Sequence, residues 1–302
     1  MTGAAVFRTG AIAFAGCLAL WSQMPGRGRA GRSGAPAEPE PVAFGDTAGW
    51  NSLFDGQGLR GWDGNLDIWH VEGGAIVADS TCERPAGTSD LVWQGGEPGD
   101  FELKAEIKIE GAGVRGAIQY RSFVRPPGAR GGSVSGRGPG SGARAGPGGR
   151  AGAREGMGTC PSGQPRGTPP DPAANARWNL GGPQIDFDGG NRYGGRYAEG
   201  GTERGLIVGR GQVVQASGGR KPRLIATLAT DSDLAGHFKV NDWNQVQIIA
   251  RGAELIHIVN GQVTAVLIDD DPAGLRKSGL VGLKIEGLGR VSFRNLWMNA
   301  AP

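Results

Sequence analysis

From Phe44 onward, apolar and polar residues alternate along the chain in short runs. In DFELKAEIKI, residues 100–109, Phe101, Leu103, Ala105, Ile107 and Ile109 fall on one side and charged residues on the other. A period of two is that of a strand with one face against a core. IWHVEGGAIVA (68–78) reads as two strands about Gly73-Gly74, and GAIQYRSF (116–123) follows a glycine-rich turn. WNQVQIIA (243–250) and ELIHIVNGQVTAVLI (254–268) continue the pattern. Asn260-Gly261 in the latter is the strongest hairpin signal of the chain, because both positions of such a turn need positive φ. GLVGLKI and RVSFRNLWM close the series. No run of ten or more residues after the first 44 keeps a helical period. Many short alternating strands separated by glycine turns predict an all-β sandwich or jelly roll of two antiparallel sheets.

Two tracts break the pattern. Ala11–Trp21 is an apolar run after Arg8, too short for a lasting bilayer span, and PGRGRAGRSGAPAEPEP after it has the composition of a linker. Residues 1–24 are therefore expected to be an export signal and 25–44 a linker. This places the protein in a periplasmic or extracellular setting, with a lipid anchor at Cys17 as a variant of the same reading, since FAGC resembles a lipoprotein box. The second tract, at about 125–177, is rich in Gly, Arg and Pro and lacks periodicity. It is expected to be a disordered insertion in a single domain spanning 45–302, since it has too little apolar surface to offset chain entropy. With Cys160 in that tract, no disulfide framework is expected for Cys82 and Cys160.

Composition adds little except where it is uneven. The chain has 302 residues, 58 of them glycine, and a formal net charge of +3. Four Arg against two Glu lie before Gly45, and eight Arg against one Glu and one Asp lie in 125–177. These tracts hold more than the whole net charge, so the folding part is mildly acidic and nucleic acid is not its expected partner. The Arg-Gly tract also lacks the aromatic residues that stack bases.

Candidate chemistry sits on the polar faces of three strands. Gln119 and Arg121 are two apart in GAIQYRS; Gln184, Asp186 and Asp188 are two apart in QIDFD; Lys284 and Glu286 are two apart in GLKIEG. Planar amide, guanidinium and carboxylate groups in rows suit sugar hydroxyls, and the solvent face of an antiparallel sheet gives the same spacing without any site. Arg192 and Tyr193 lie in a turn after Gly189-Gly190, where Tyr193, like Tyr197, can stack on a sugar ring. His257 lies in a strand among apolar neighbours, equally suited to a core position or to a base working near neutral pH. No cofactor is called for. Asp186 and Asp188 with nearby carbonyls can hold Ca²⁺, and no His/Cys cluster points to a transition metal. QIDFD resembles the EIDxxE strand of laminarinase-type glucanases, but Gln184 stands at the nucleophile's position and an amide does not serve there.

FDGQGLRGWDG (54–64), WHVEGGAIVA (69–78), GDFELKAEIKI (99–109), RGAIQYRS (115–122), GGPQIDFDGGNRYGGRYAE (181–199), ERGLIVGRG (203–211), WNQVQIIARGAELIHIVNG (243–261) and GLVGLKIEGLGRVSFRNLWM (279–298) occur in an order similar to that of 3-keto-disaccharide hydrolase domains. The resemblance implies an exported bacterial protein with a concanavalin A-like jelly roll that cleaves glycosides whose sugar carries a ketone at C3. Such a ketone acidifies the proton at C2, so a base can begin elimination of the C1 substituent, after which water adds. On this reading Asp186 or His257 is the base and Asp188 or Glu286 the acid. Gln119, Arg121 and Lys284 hold the keto oxygen and hydroxyls, with Gln184, Arg192 and Tyr193 also on the sugar. Family members often carry His where this chain has Glu286. A non-catalytic carbohydrate-binding module of the same fold is the alternative.

Overall fold

A computed structural model describes residues 43–126, 160–161, 166–171, 175–218 and 220–300. Expectations for the leader, the linker, Cys17 and most of the insertion lie outside the described residues. The described chain is a jelly-roll sandwich of two sheets, as its alternation predicts. The smaller sheet has seven strands in the order Gly205–Val208, Arg196–Gly200, Leu180–Asp188, Val114–Val124, Leu280–Gly287, Thr88–Trp93 and Trp62–Gly64. Every neighbouring pair in it is antiparallel. The larger sheet has ten strands, with Phe101–Glu110 between Asn244–Arg251 and Gly289–Ala300 near its middle. One of its pairings, Gln212–Ser217 with Gln262–Asp270, is parallel, so the expectation of purely antiparallel sheets needs that correction.

Local signals map onto this frame. Phe101, Leu103, Ala105, Ile107 and Ile109 are all buried between the sheets, where they meet Ile118, Ile185, Phe187, Leu283 and Ile285 from the smaller sheet. Asn260 and Gly261 both have positive φ, 49° and 78°, and join Glu254–Val259 to Gln262–Asp270. Among the described residues the one α-helix, Asp231–His237, has seven residues and is capped by the Thr230 hydroxyl, which accepts from the Asp233 N–H at 3.1 Å.

The cysteine reading is overturned. Cys82 and Cys160 form a disulfide across 78 residues of sequence. The described C-terminal part of the insertion follows the loop that carries Cys82: the Gly167 N–H donates to the Cys82 carbonyl at 2.8 Å, and Pro169 lies against Gly87. Its composition, poor in apolar residues, gave no hint of this, because the tie is covalent and backbone-mediated and buries little surface.

Candidate functional site

In antiparallel sheets, directly paired residues point to the same face, so register decides which candidate side chains meet. Asp186 pairs with Ala117 on one side and Arg196 on the other; Gln184 pairs with Gln119 and Ala198; Asp188 pairs with Arg115. On the next strand Lys284 pairs with Ala117 and Asp90, and Glu286 with Arg115 and Thr88. Gln119, Gln184, Asp186, Asp188, Lys284 and Glu286 therefore share the face of the smaller sheet that looks away from the core. The alternating Ile118, Ile185, Phe187, Leu283 and Ile285 fill the other.

Small residues at Ala117, Ala198, Gly200 and Gly282 leave a dip in this floor. Ala117 is short enough for Lys284 to reach across its strand, where Nζ donates to Gln184 Oε1 at 3.2 Å. A Cβ on Gly200 would lie 2.7 Å from that same oxygen. Gln184 Nε2 in turn donates to Asp186 Oδ1, while Arg196 holds Asp186 Oδ2 through Nε at 3.2 Å and Nη2 at 3.0 Å. The Arg196 guanidinium lies 3.5 Å from the Tyr193 ring centre. Burial, followed by the negative charge of Asp186, pushes the Tyr193 hydroxyl up to about 12. At the other end of the row, Lys284 Nζ is 3.9 Å from Asp90 Oδ1, and burial raises the Asp90 carboxyl above the usual carboxylate range.

Four expected site residues have different employment. Arg121 sits in a bulge with φ 46°, which swings its side chain off the floor. It is fully buried and donates to the carbonyls of Gly99, Gly252 and Arg276 and to Asp100, tying loops together. His257 belongs to the larger sheet and lies in the core, 2.7 Å from the Tyr120 hydroxyl, on the opposite side of the smaller sheet from Asp186. Burial lowers its pKa to about 3, so it stays neutral and has no access to a substrate on the floor. Asp188 lies on the floor by register, but its oxygens accept from the N–H groups of Arg192 and Tyr193 and from Arg192 Nε. It organises the 189–193 turn and lacks the freedom of an acid catalyst. Arg192 is half-exposed and spent on that contact.

Glu286 is the contrasting case. Its side chain is 29% exposed and makes no hydrogen bond among the described residues; the nearest cation is Arg115 Nη1 at 3.8 Å. For Ca²⁺, both named carboxylates already face guanidinium groups, Asp186 that of Arg196 and Asp188 that of Arg192. Among the described residues no group of three or more His, Cys, Asp or Glu is placed to hold a metal.

Asp90, Arg115 and Arg196 complete the floor and were not singled out from sequence. Arg115 extends the Gln119 row by two further steps of two and was within reach of the same alternation. Asp90 and Arg196 are placed only by cross-strand register. Above one end of the floor, residues 175–180 form a strap whose single turn, Ala176–Trp178, packs on Thr88–Trp93 and Val114–Val124. Beside the strap is an open cleft of about 400 Å³ lined by Trp62, Asp63, Asn65, Leu66, Arg177 and Trp178.

The sequence profile of the 3-keto-disaccharide hydrolase family, described as a 3-keto-alpha-glucoside-1,2-lyase-like domain, matches residues 49–143 and 164–299. No curated protein matches the chain. Similar solved structures include a putative glycosyl hydrolase from Parabacteroides distasonis, with 14% identity, 84% of this chain and 95% of that one covered, and a TM-score of 0.44. A carbohydrate-binding module, CBM66, from Bacillus subtilis has 13% identity, coverage of 78% and 93%, and a TM-score of 0.41. A Bacillus subtilis protein of unknown function with a galectin-like fold has 7% identity, coverage of 84% and 90%, and a TM-score of 0.43.

Proposed function

The chain belongs to the 3-keto-alpha-glucoside-1,2-lyase-like domain family, and from that premise we propose that it cleaves 3-keto-glycosides on the polar floor of its smaller sheet. Glu286, a floor carboxylate that makes no hydrogen bond among the described residues, takes the C2 proton that the C3 ketone has acidified. The electron pair moves into an enolate whose oxygen is met by the positive charges of Arg115 and Lys284. The C1–O bond then breaks, the C1=C2 double bond forms as the ketone returns, and the proton on Glu286 passes to the departing oxygen. Addition of water across that double bond completes a net hydrolysis. Asp186, fixed by Arg196 and Gln184, accepts from substrate hydroxyls and positions the ring. The observation that carries this reading is the pairing register, which sets Glu286, Arg115, Lys284 and Asp186 on one outward face. The disulfide supports an exported location, because such bonds persist in oxidising compartments. Among the described residues no helix is long and apolar enough to cross a membrane.

The test is Glu286→Gln, assayed for glucose release from 3-keto-trehalose and, by calorimetry, for sugar affinity. Loss of turnover by about 10²–10⁴-fold with affinity retained is the expected outcome for a proton-transfer group. A wild-type protein that binds glycans and never turns them over would make it a carbohydrate-binding module instead.

A further inference from the structure

The end of the floor beneath residues 175–180 holds polar atoms that the fold leaves unserved. Gln119 has no exposed surface, and neither its Oε1 nor its Nε2 meets a hydrogen-bond partner among the described residues. Across the intervening strand, Asp90 accepts from the Leu180 N–H through Oδ2 at 2.9 Å, while Oδ1 has no hydrogen-bond partner and faces Lys284 Nζ at 3.9 Å. The indole N–H of Trp178, in the strap itself, is also without one. Buried polar atoms are nearly always paired, and a residue that keeps them unpaired weakens the fold. Two such groups on the floor beneath the strap and one within it mark a place shaped for something other than the protein's own chain.

We propose that Gln119 and Asp90 form an inner subsite for two adjacent hydroxyl groups of a pyranose, covered by the strap at residues 175–180 and reached when that strap lifts. The inference rests on the reading of the floor as a sugar site. A carboxamide presents one acceptor and one donor edge side by side, which matches a vicinal diol. Asp90 Oδ1, which faces the floor without a hydrogen-bond partner among the described residues, adds a further polar atom on the same side. The strap runs into the strand Leu180–Asp188, whose first residue pairs with Val124, so lifting it would fray the start of that strand. Leu180 Cδ1 occupies the dip over Gly282, where a Cβ would meet it at 2.5 Å and would stand 3.8 Å from Gln119 Oε1. Among the described residues the strap's polar ties include the Leu180 contact to Asp90, Asn65 Nδ2 donating to Asn175 Oδ1 at 3.2 Å, the Asn175 N–H donating to the Asp171 carbonyl at 3.3 Å, Arg125 donating to Asn179 through its N–H at 2.8 Å and Nη1 at 3.4 Å, and Arg177 within 3.7 Å of Asp63. Asn175 makes no side-chain cap for the turn.

The test is Gln119→Met, close in size and free of polar edges. Without sugar the variant is expected to melt about 2–4 °C above the wild type, and to bind methyl 3-keto-α-glucoside about tenfold more weakly by calorimetry. A melting temperature that falls or stays put, or an unchanged affinity, overturns the subsite. Asp90→Asn keeps an acceptor for Leu180 and a polar edge toward the sugar, so affinity is retained, whereas Asp90→Ala loses it. Equal losses in both variants overturn the part given to Asp90. If the wild type binds methyl α-glucoside but not its 3-keto form, and Gln119→Met loses that binding, the subsite stands and the keto-sugar reading falls. A wild type that binds neither overturns both.

Discussion

Two polar clusters sit on opposite faces of one seven-stranded sheet and differ in what their atoms are left to do. On the core side, Tyr120 shares a hydrogen bond with His257, and the Tyr197 hydroxyl donates to Glu199 at 2.9 Å. Glu199 also accepts from Thr202 and Arg204, and Arg204 clasps Asp269 with two bonds of 2.9 Å. Tyr120, Tyr197, Glu199, His257 and Asp269 are buried between the sheets and occupied with one another and with the partly buried Arg204. On the outer face Glu286 is partly exposed and makes no hydrogen bond among the described residues, with Arg115 Nη1 3.8 Å away. A histidine or carboxylate type alone therefore says little about chemistry. Solvent access and unspent hydrogen-bonding capacity separate a working group from a structural one.

This contrast yields perturbations with opposite readouts. The largest expected effect is on the outer face: Lys284→Met should lower turnover of a 3-keto-glycoside by about 10²–10³-fold, as loss of an enolate-stabilising charge does, while urea denaturation shows little change. A large stability loss with turnover kept would merge the two clusters into one structural category. On the core side, Tyr120→Phe should cost about 1–3 kcal/mol of unfolding free energy by stranding a buried imidazole nitrogen, and leave kcat intact. A kcat that collapses in a well-folded Tyr120→Phe protein would return His257 to the chemistry.

A third contrast is a pH dependence, confined to the acid limb of the stability curve. His257 binds a proton near 6.5 when unfolded and only near 3 in the fold, so the unfolded state takes up more protons between these values. Its stabilising share is whole above pH ~6.5 and is lost as pH falls toward ~3, by about 1.4 kcal/mol per unit. Glu199, raised by burial, works in the other direction as pH falls. The comparison is thus between wild type and His257→Phe, whose acid limb should be the flatter over pH 4–6.5. Parallel limbs would contradict the buried, neutral assignment.

Much of the outer face was legible in the sequence because strand alternation is a local property. Gln184 and Asp186, or Lys284 and Glu286, need only a period of two to fall on one side. What escaped depended on events the period does not encode. A bulge with left-handed backbone at Arg121 redirected a side chain that spacing had put on the floor. Asp188 was claimed by the N–H groups of the turn that follows it. His257 followed its strand's alternation faithfully, but that face turned out to be the core. Asp90 and Arg196 reached the floor through cross-strand register, which one sequence does not reveal. The disulfide lay in a tract whose composition argued against order.

The claim on which the account turns is that cleavage begins with removal of the C2 proton by Glu286. Turnover of methyl 3-keto-α-glucoside in D₂O, followed by NMR against an enzyme-free control, tests it directly. Deuterium at C2 of the released sugar, gained at the rate of turnover and lost with Glu286→Gln, is the predicted result. Release of methanol with the original hydrogen still at C2, or unchanged exchange in Glu286→Gln, would contradict it.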